Sequence, residues 1–190
     1  MMGSSYFTNP VEFLINTLFG LYVLAIMLRV LLAAARADFY NPVSQFLVRI
    51  TNPPLVPLRR LLPSIGRIDT SAILLMLVVQ MLASLLSLLL RGGGIPRGSL
   101  LLLSVAELVN LLFNIYIIAI IILVILSWVN PGLHNPITGL LHSLTAPLLT
   151  PFRRMLPPTG GLDLSPLAAL LALYIGKMLV MPPLYHLVRI

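Results

Sequence analysis

Residues 57–71 read PLRRLLPSIGRIDTS and residues 151–165 read PFRRMLPPTGGLDLS, two versions of one segment set 94 positions apart. Pro57, Arg59, Arg60, Pro63, Gly66 and Asp69 meet Pro151, Arg153, Arg154, Pro157, Gly160 and Asp163 in fixed register. Leucine-rich helices resemble one another by composition alone, but a proline-bounded arginine pair followed at set distances by glycine and aspartate points to duplication. Outward from this segment, residues 11–71 align with 105–165 without a gap, giving 24 identities in 61 positions. Asn41-Pro42 meets Asn135-Pro136, and Thr51 meets Thr145. In the apolar flank, Val11, Leu14, Leu18, Tyr22 and Ala25 recur as Val105, Leu108, Leu112, Tyr116 and Ala119, at a spacing that lines one helix face. A shared face predicts that the first and third apolar segments pack equivalently around a pseudo-two-fold axis along the membrane normal. With two spans per copy, the copies are parallel rather than inverted.

The solvent of this fold is lipid. Of 190 residues, 59% are hydrophobic and 9% charged, against roughly 25% charged in a soluble domain, so polar groups cannot cover the surface. Apolar runs at about 11–35, 70–90, 100–128 and 164–184 reach or exceed the ~20 residues that cross ~30 Å of hydrocarbon as a helix. Helix is required because backbone groups in lipid must be satisfied within their own segment. The expected fold class is an all-α membrane protein, four transmembrane helices arranged as two tandem parallel repeats. Each repeat is a helical hairpin with an amphipathic interfacial helical segment between its spans. The first repeat covers 1–91 with its interfacial segment at 41–66, a Gly-rich linker covers 92–99, and the second repeat covers 100–190 with its interfacial segment at 135–160. Ala35-Arg36-Ala37 has the shape of a signal-peptidase site, but no basic region precedes the apolar run and the run is too long, so it is read as a retained span.

A formal charge of +7 and the absence of cysteine narrow the chemistry. Without thiols there is no disulfide, thiolate catalysis or Cys-based metal site. The arginines sit between apolar runs, where they set topology and face anionic lipid rather than nucleic acid. Arg36, Arg49, Arg59, Arg60 and Arg67 lie in the first connection and Arg153 and Arg154 in the second, against Arg91, Arg97 and Arg189 on the opposite side. The positive-inside rule therefore predicts both Arg-rich connections in the cytoplasm and both termini on the opposite side of the membrane.

The connections read as interfacial helices. Asn41 and Asn135 cap a helix with Pro42 or Pro136 at its first position, followed by apolar residues Val43, Phe46, Leu47 and Ile50, or Ile137, Leu140, Leu141 and Leu144. A second short helix is expected to start at Thr51 or Thr145 and stop near Pro63 or Pro157. Gly66 and Gly160 then permit the turn into the next span, which Asp69 or Ser71, and Asp163 or Ser165 with Pro166 behind it, can cap.

The doubled pattern of Asn-Pro, a Pro-flanked arginine pair with Leu-Leu-Pro or Met-Leu-Pro, and then Gly-x-x-Asp-x-Ser resembles the YggT family of bacterial inner-membrane proteins and their plastid relatives, across nearly the whole chain. The resemblance implies a small multi-pass protein linked to osmotic-stress tolerance, to cell division and nucleoid organisation, and in plastids to haem attachment on a b-type cytochrome. The second copy departs from the first with Ala146, Thr150 and Thr159 in place of Asn52, Val56 and Ile65, so the copies are not bound to identical work.

Four sets of residues stand out. Arg59, Arg60, Arg153 and Arg154 either pair with Asp69 and Asp163 as anchors or bind anionic lipid or an acidic partner through bidentate guanidinium contacts. Glu107 and Lys177 are intramembrane charges present together in the second copy and replaced by Phe13 and Ala83 in the first; counting from the span ends predicts an ion pair between them. Arg29, replaced by Leu123, is expected to reach the interface. Asn16 and its counterpart Asn110 are candidates for helix-to-helix hydrogen bonds. His134, His142 and His186 have no shared counterparts, so no metal or haem ligation is expected, and no cofactor. No nucleophile–base set or phosphate loop appears, and the chain reads as a non-enzyme. The first functional reading is a membrane scaffold or assembly factor engaging anionic lipids or membrane, division or assembly proteins, with a homo-oligomer left open. The alternative is an ion or osmolyte conduit lined by Asn16, Gln80, Glu107, Asn110 and Asn114.

Overall fold

The structure is a computed structural model that describes residues 4–62, 64, 69–92, 99–129, 135–156 and 163–189. The described residues form six helices: α1 (Ser4–Ala34), α2 (Pro42–Leu61), α3 (Thr70–Leu90), α4 (Ser99–Val129), α5 (Pro136–Met155) and α6 (Ser165–Arg189). Four segments, Asn9–Ala34, Thr70–Leu90, Leu100–Val129 and Ser165–Val188, are long and apolar enough to cross a membrane. Each repeat therefore consists of span, interfacial helix, span. Large apolar side chains on the outer surfaces, such as Phe13, Leu18, Leu167 and Met178, are two-thirds or more exposed or nearly so, which is stable only against lipid. The face carrying α2 and α5 is called the loop face below, and the opposite one the termini face.

The repeat is visible in the packing. Ile26 and Ile120, Leu55 and Leu149, Thr51 and Thr145, and Ser71 and Ser165 are corresponding residues, and all eight are fully or almost fully buried. Most of the buried apolar side chains gather in one core shared by α1, α2, α3, α4 and α5, including Val23, Ile26, Leu55, Met76, Val79 and Ile115. A smaller cluster of Ile120, Leu123, Leu149 and Ala169 joins α4, α5 and α6.

Two expectations need correction. The interfacial segments are single continuous helices, not pairs of short ones, although α2 contains Pro53, Pro54 and Pro57 and α5 contains Pro147 and Pro151. Thr51 and Thr145 do not cap a second helix; their hydroxyls donate back to the carbonyls of Leu47 (2.6 Å) and Leu141 (2.8 Å), the i−4 contact of a helix interior. Each proline withholds an amide hydrogen from the ladder, a loss that hydrated headgroups can make good at an interface and a hydrocarbon core could not. The halves are also not arranged about a two-fold axis. α3 packs against both α1 and α4, whereas its counterpart α6 packs against α4 and has no comparable packing on α1. α1 thus lies at the edge of a row, and its half of the shared face is exposed at Val11, Leu14 and Leu18, while Leu108 and Leu112 pack against the core.

Candidate functional site

On the loop face, the ends of α2 and α5 are fixed by local chemistry. Asn41 caps α2, its Oδ1 accepting from the Val43 amide at 2.9 Å with Pro42 at the first turn. Asn135 caps α5 through a reciprocal pair with Thr138, accepting from the Thr138 amide at 2.7 Å while the Thr138 hydroxyl accepts from the Asn135 amide. The Asn41 amide also donates to the Pro136 carbonyl at 2.6 Å, joining the starts of the two interfacial helices across the repeats.

At the other ends, Arg59, Arg60, Arg153 and Arg154 occupy the last turns of α2 and α5, where a cation complements the helix dipole. Arg59 forms an ion pair with Asp69, its Nε donating at 3.1 Å and its Nη2 also engaged. Arg153 pairs with Asp163 at 3.2 Å. Both carboxylates serve twice: Asp69 Oδ1 accepts from the Ala72 amide and Asp163 Oδ1 from the Ser165 amide and hydroxyl, so each ties an arginine to the start of the next span. Burial raises the Asp163 pKa, but the Ser165 hydrogen bonds and the Arg153 charge outweigh it and hold the carboxyl below its ordinary value. Arg60 and Arg154 are exposed and make no hydrogen bond or ion pair among the described residues. Pro57 and Pro151 lie inside α2 and α5. Pro63, Gly66, Pro157 and Gly160, the glycines of the linker after Gly92, and His134 lie outside the described residues. His142 and His186 are exposed on different helices. Arg29 reaches α2, donating to the Thr51 hydroxyl at 2.6 Å.

Glu107 and Lys177 do not form the predicted ion pair. Glu107 accepts from the Tyr185 hydroxyl at 3.1 Å, and Lys177 donates to Asn114 Oδ1 at 2.6 Å. The reason is register. α6 extends to Arg189 through Pro182 and Pro183, so counting from an end at 184 placed Lys177 too near the termini face. In the antiparallel α4–α6 hairpin Lys177 stands level with Asn114, two turns from Glu107, or about 10 Å along the axis. The first hairpin has the same register: Glu12 pairs with Arg91, and Ser87 donates to Asn16 at 2.9 Å. Tyr185 is the repeat counterpart of Arg91, and Glu107 stands one position past the counterpart of Glu12. Strict alignment hid this; a one-residue tolerance would have revealed a carboxylate at the same level in both hairpins.

The five polar residues read as a possible conduit lining, Asn16, Gln80, Glu107, Asn110 and Asn114, all border one cavity of about 730 Å³ between α1, α3 and α4, with Val188 of α6 also on its wall. Glu12, Gly20, Ser84, Ser87 and Arg91 complete its polar and open surface and were not singled out from sequence. The cavity runs from the helix ends at the termini face to the level of Val23 and Gln80. Beyond it the loop-face half is filled by the apolar core of Ile26, Ala72, Leu75 and Met76.

The CCB3/YggT family model matches residues 8–90 and again 102–184. The chain belongs to this family. An uncharacterized protein of Pseudomonas aeruginosa is 46% identical over 170 residues, covering 88% of this chain and 86% of its own length. Uncharacterized protein YggT of Escherichia coli K12 is 36% identical over 173 residues, 90% of this chain and 88% of its own. YlmG homolog protein 2, chloroplastic, of Arabidopsis thaliana is 41% identical over 83 residues, 42% of this chain and 31% of its own. No solved structure matches. The doubled match within the CCB3/YggT family agrees with the two tandem repeats, each contributing two spans.

Proposed function

We propose that this CCB3/YggT protein is a scaffold or assembly factor of the bacterial cytoplasmic membrane, with its loop face at the inner leaflet, where Arg60 and Arg154 bind anionic headgroups and organise partner proteins beside them. The observation that carries the reading is the division of labour within each arginine pair. Arg59 and Arg153 are held by Asp69 and Asp163, while Arg60 and Arg154, one residue on, are exposed on helices that are capped and joined to each other. A free guanidinium at headgroup depth offers two parallel donors to a phosphate. Val43, Phe46 and Val56 on α2, with Ile137 on α5, are exposed and supply the apolar side that an interfacial helix needs. The positive-inside rule supports a cytoplasmic loop face.

The test is lipid-dependent stability. Purified protein in neutral detergent is titrated with phosphatidylglycerol or phosphatidylcholine and its Tm followed. The reading expects phosphatidylglycerol to raise Tm more than phosphatidylcholine, and R60Q/R154Q to remove more than half of that difference. An undiminished difference in the double variant overturns the headgroup role. Photocrosslinking in cells from position 60 or 154 then captures the partner.

A further inference from the structure

We propose that the cavity between α1, α3 and α4 binds a small zwitterionic solute, one bearing both a cationic nitrogen and a carboxylate, admitted from the termini face. Among the described charged side chains, Glu12, Arg91 and Glu107 line the cavity and Lys177 stands behind Asn114; of these, Glu12 and Arg91 neutralise each other. Among the described residues, Glu107 has only the neutral Tyr185 hydroxyl as partner, and Lys177 only the neutral Asn114 amide. One carboxylate and one ammonium therefore remain uncompensated, two helical turns apart, with Asn110 between them on α4. The net charge is zero but the field along the cavity is not. A bare cation is drawn to Glu107 and repelled by Lys177, and a bare anion meets the reverse; a dipolar molecule satisfies both.

The orientation of Asn114 sharpens the assignment. An ammonium offers donors only, so Lys177 fixes Asn114 with its oxygen turned away. What Asn114 has left for the cavity it lines is its pair of amide hydrogens, backed by the lysine charge. That is a carboxylate-binding end. The free oxygen of Glu107, nearer the mouth, is the cation-binding end. Asn110, Gln80 and Ser84 make no hydrogen bond among the described residues, so their donors and acceptors are available to the stretch between. Half-buried polar groups left without partners at span depth are costly, and occupancy by water or a hydrogen-bonding solute removes that cost. Gly20 keeps the space open: a Cβ added there meets nothing within 4 Å. The apolar core below closes the other end, which makes the cavity a receptor rather than a channel.

The natural chain has no cysteine, so S84C, a near-isosteric change, gives a single reporter thiol. In proteoliposomes, a membrane-impermeant cationic methanethiosulfonate is expected to label S84C, and 4-aminobutyrate or 6-aminohexanoate to slow labelling at least fivefold. Butylammonium and butyrate at the same concentration are expected to protect little. E107Q and K177M, each placed in the S84C background, should weaken protection at least tenfold, and G20L should block labelling by filling the space. Failure of S84C to label, equal protection by the single-charge controls, or protection unchanged in E107Q and K177M overturns the proposal. Thermal shift of the unaltered protein with the same four solutes gives a second readout that does not depend on any variant: stabilisation by the zwitterions alone supports the site, and no shift at any concentration overturns it. None of these measurements involves Arg60 or Arg154, so the headgroup reading stands or falls separately.

Discussion

Position 29 shows what duplication leaves free to change. Arg29 bonds the Thr51 hydroxyl in the first repeat, whereas the second has Leu123, buried in the α4–α6 cluster, at that place, and both threonines keep their own bonds to the i−4 carbonyl. Replacing Arg29 by Leu therefore copies a solution the molecule already uses. Because holding a half-buried guanidinium offsets much of what its hydrogen bond contributes, R29L should leave stability within about 1 kcal/mol of the parent. Denaturation in mixed micelles measures this; a much larger loss would mean that Arg29 holds α2 in place. Asp163 makes the opposite case, since its depressed pKa gives a contribution with a definite pH signature. That contribution is present above the ordinary aspartate value and is lost as pH falls through the lower folded value. The Tm of D163N should accordingly lie below that of the parent at neutral pH and approach it in acid, whereas parallel curves would show that the carboxylate charge contributes nothing. Both aspartates and both arginines were legible in the sequence, because the motif repeats them. Which arginine of each pair remains free was not, because it depends on how the end of each interfacial helix faces the next span.

Between elements, the decisive quantity is the register of the hairpins. Sequence located the spans well because hydropathy and the length needed to cross the bilayer are both properties of one segment. It failed on the Glu107–Lys177 pair because register is a property of two segments, and α6 continues several residues past the point where its hydropathy fades. The two-helix reading of the interfacial segments failed for a related reason: threonine caps helices and also folds back inside them, and the prolines tipped the choice towards a break. At the α4–α6 contact, a Cβ on Gly176 would lie 3.5 Å from the Phe113 ring, an ordinary contact. G176A should therefore fold with the parent's Tm within a few degrees, helped by the better helix propensity of alanine, worth up to about 1 kcal/mol. G176L has no such room and should push α6 from α4, breaking the Lys177–Asn114 bond next to it. Pulse proteolysis comparing the two variants distinguishes them; equal resistance would mean that α6 can slide without loss.

The whole molecule is asymmetric although its sequence is doubled, and that asymmetry creates the cavity. Had the halves closed around a two-fold axis, α6 would pack on α1 as α3 packs on α4; instead α3 on α4 is the main span-to-span contact between the hairpins, and the space bordered by α1 and α4 stays open on the termini side. The polar residues proposed for a conduit were all identified from sequence, but what sequence could not show is that they occupy only half the membrane's depth. Fully or nearly fully buried apolar side chains, Val23, Ile26, Ala72 and Met76 among them, fill the other half. An ion leaving the cavity towards the loop face would cross that core without a polar partner, and an unpaired charge in such surroundings costs many kcal/mol. Proteoliposomes should therefore show no potassium or 4-aminobutyrate flux above that of protein-free vesicles, even where 4-aminobutyrate protects S84C. A steady flux abolished by E107Q would instead show that the core opens, and would turn the receptor into one end of a transport path.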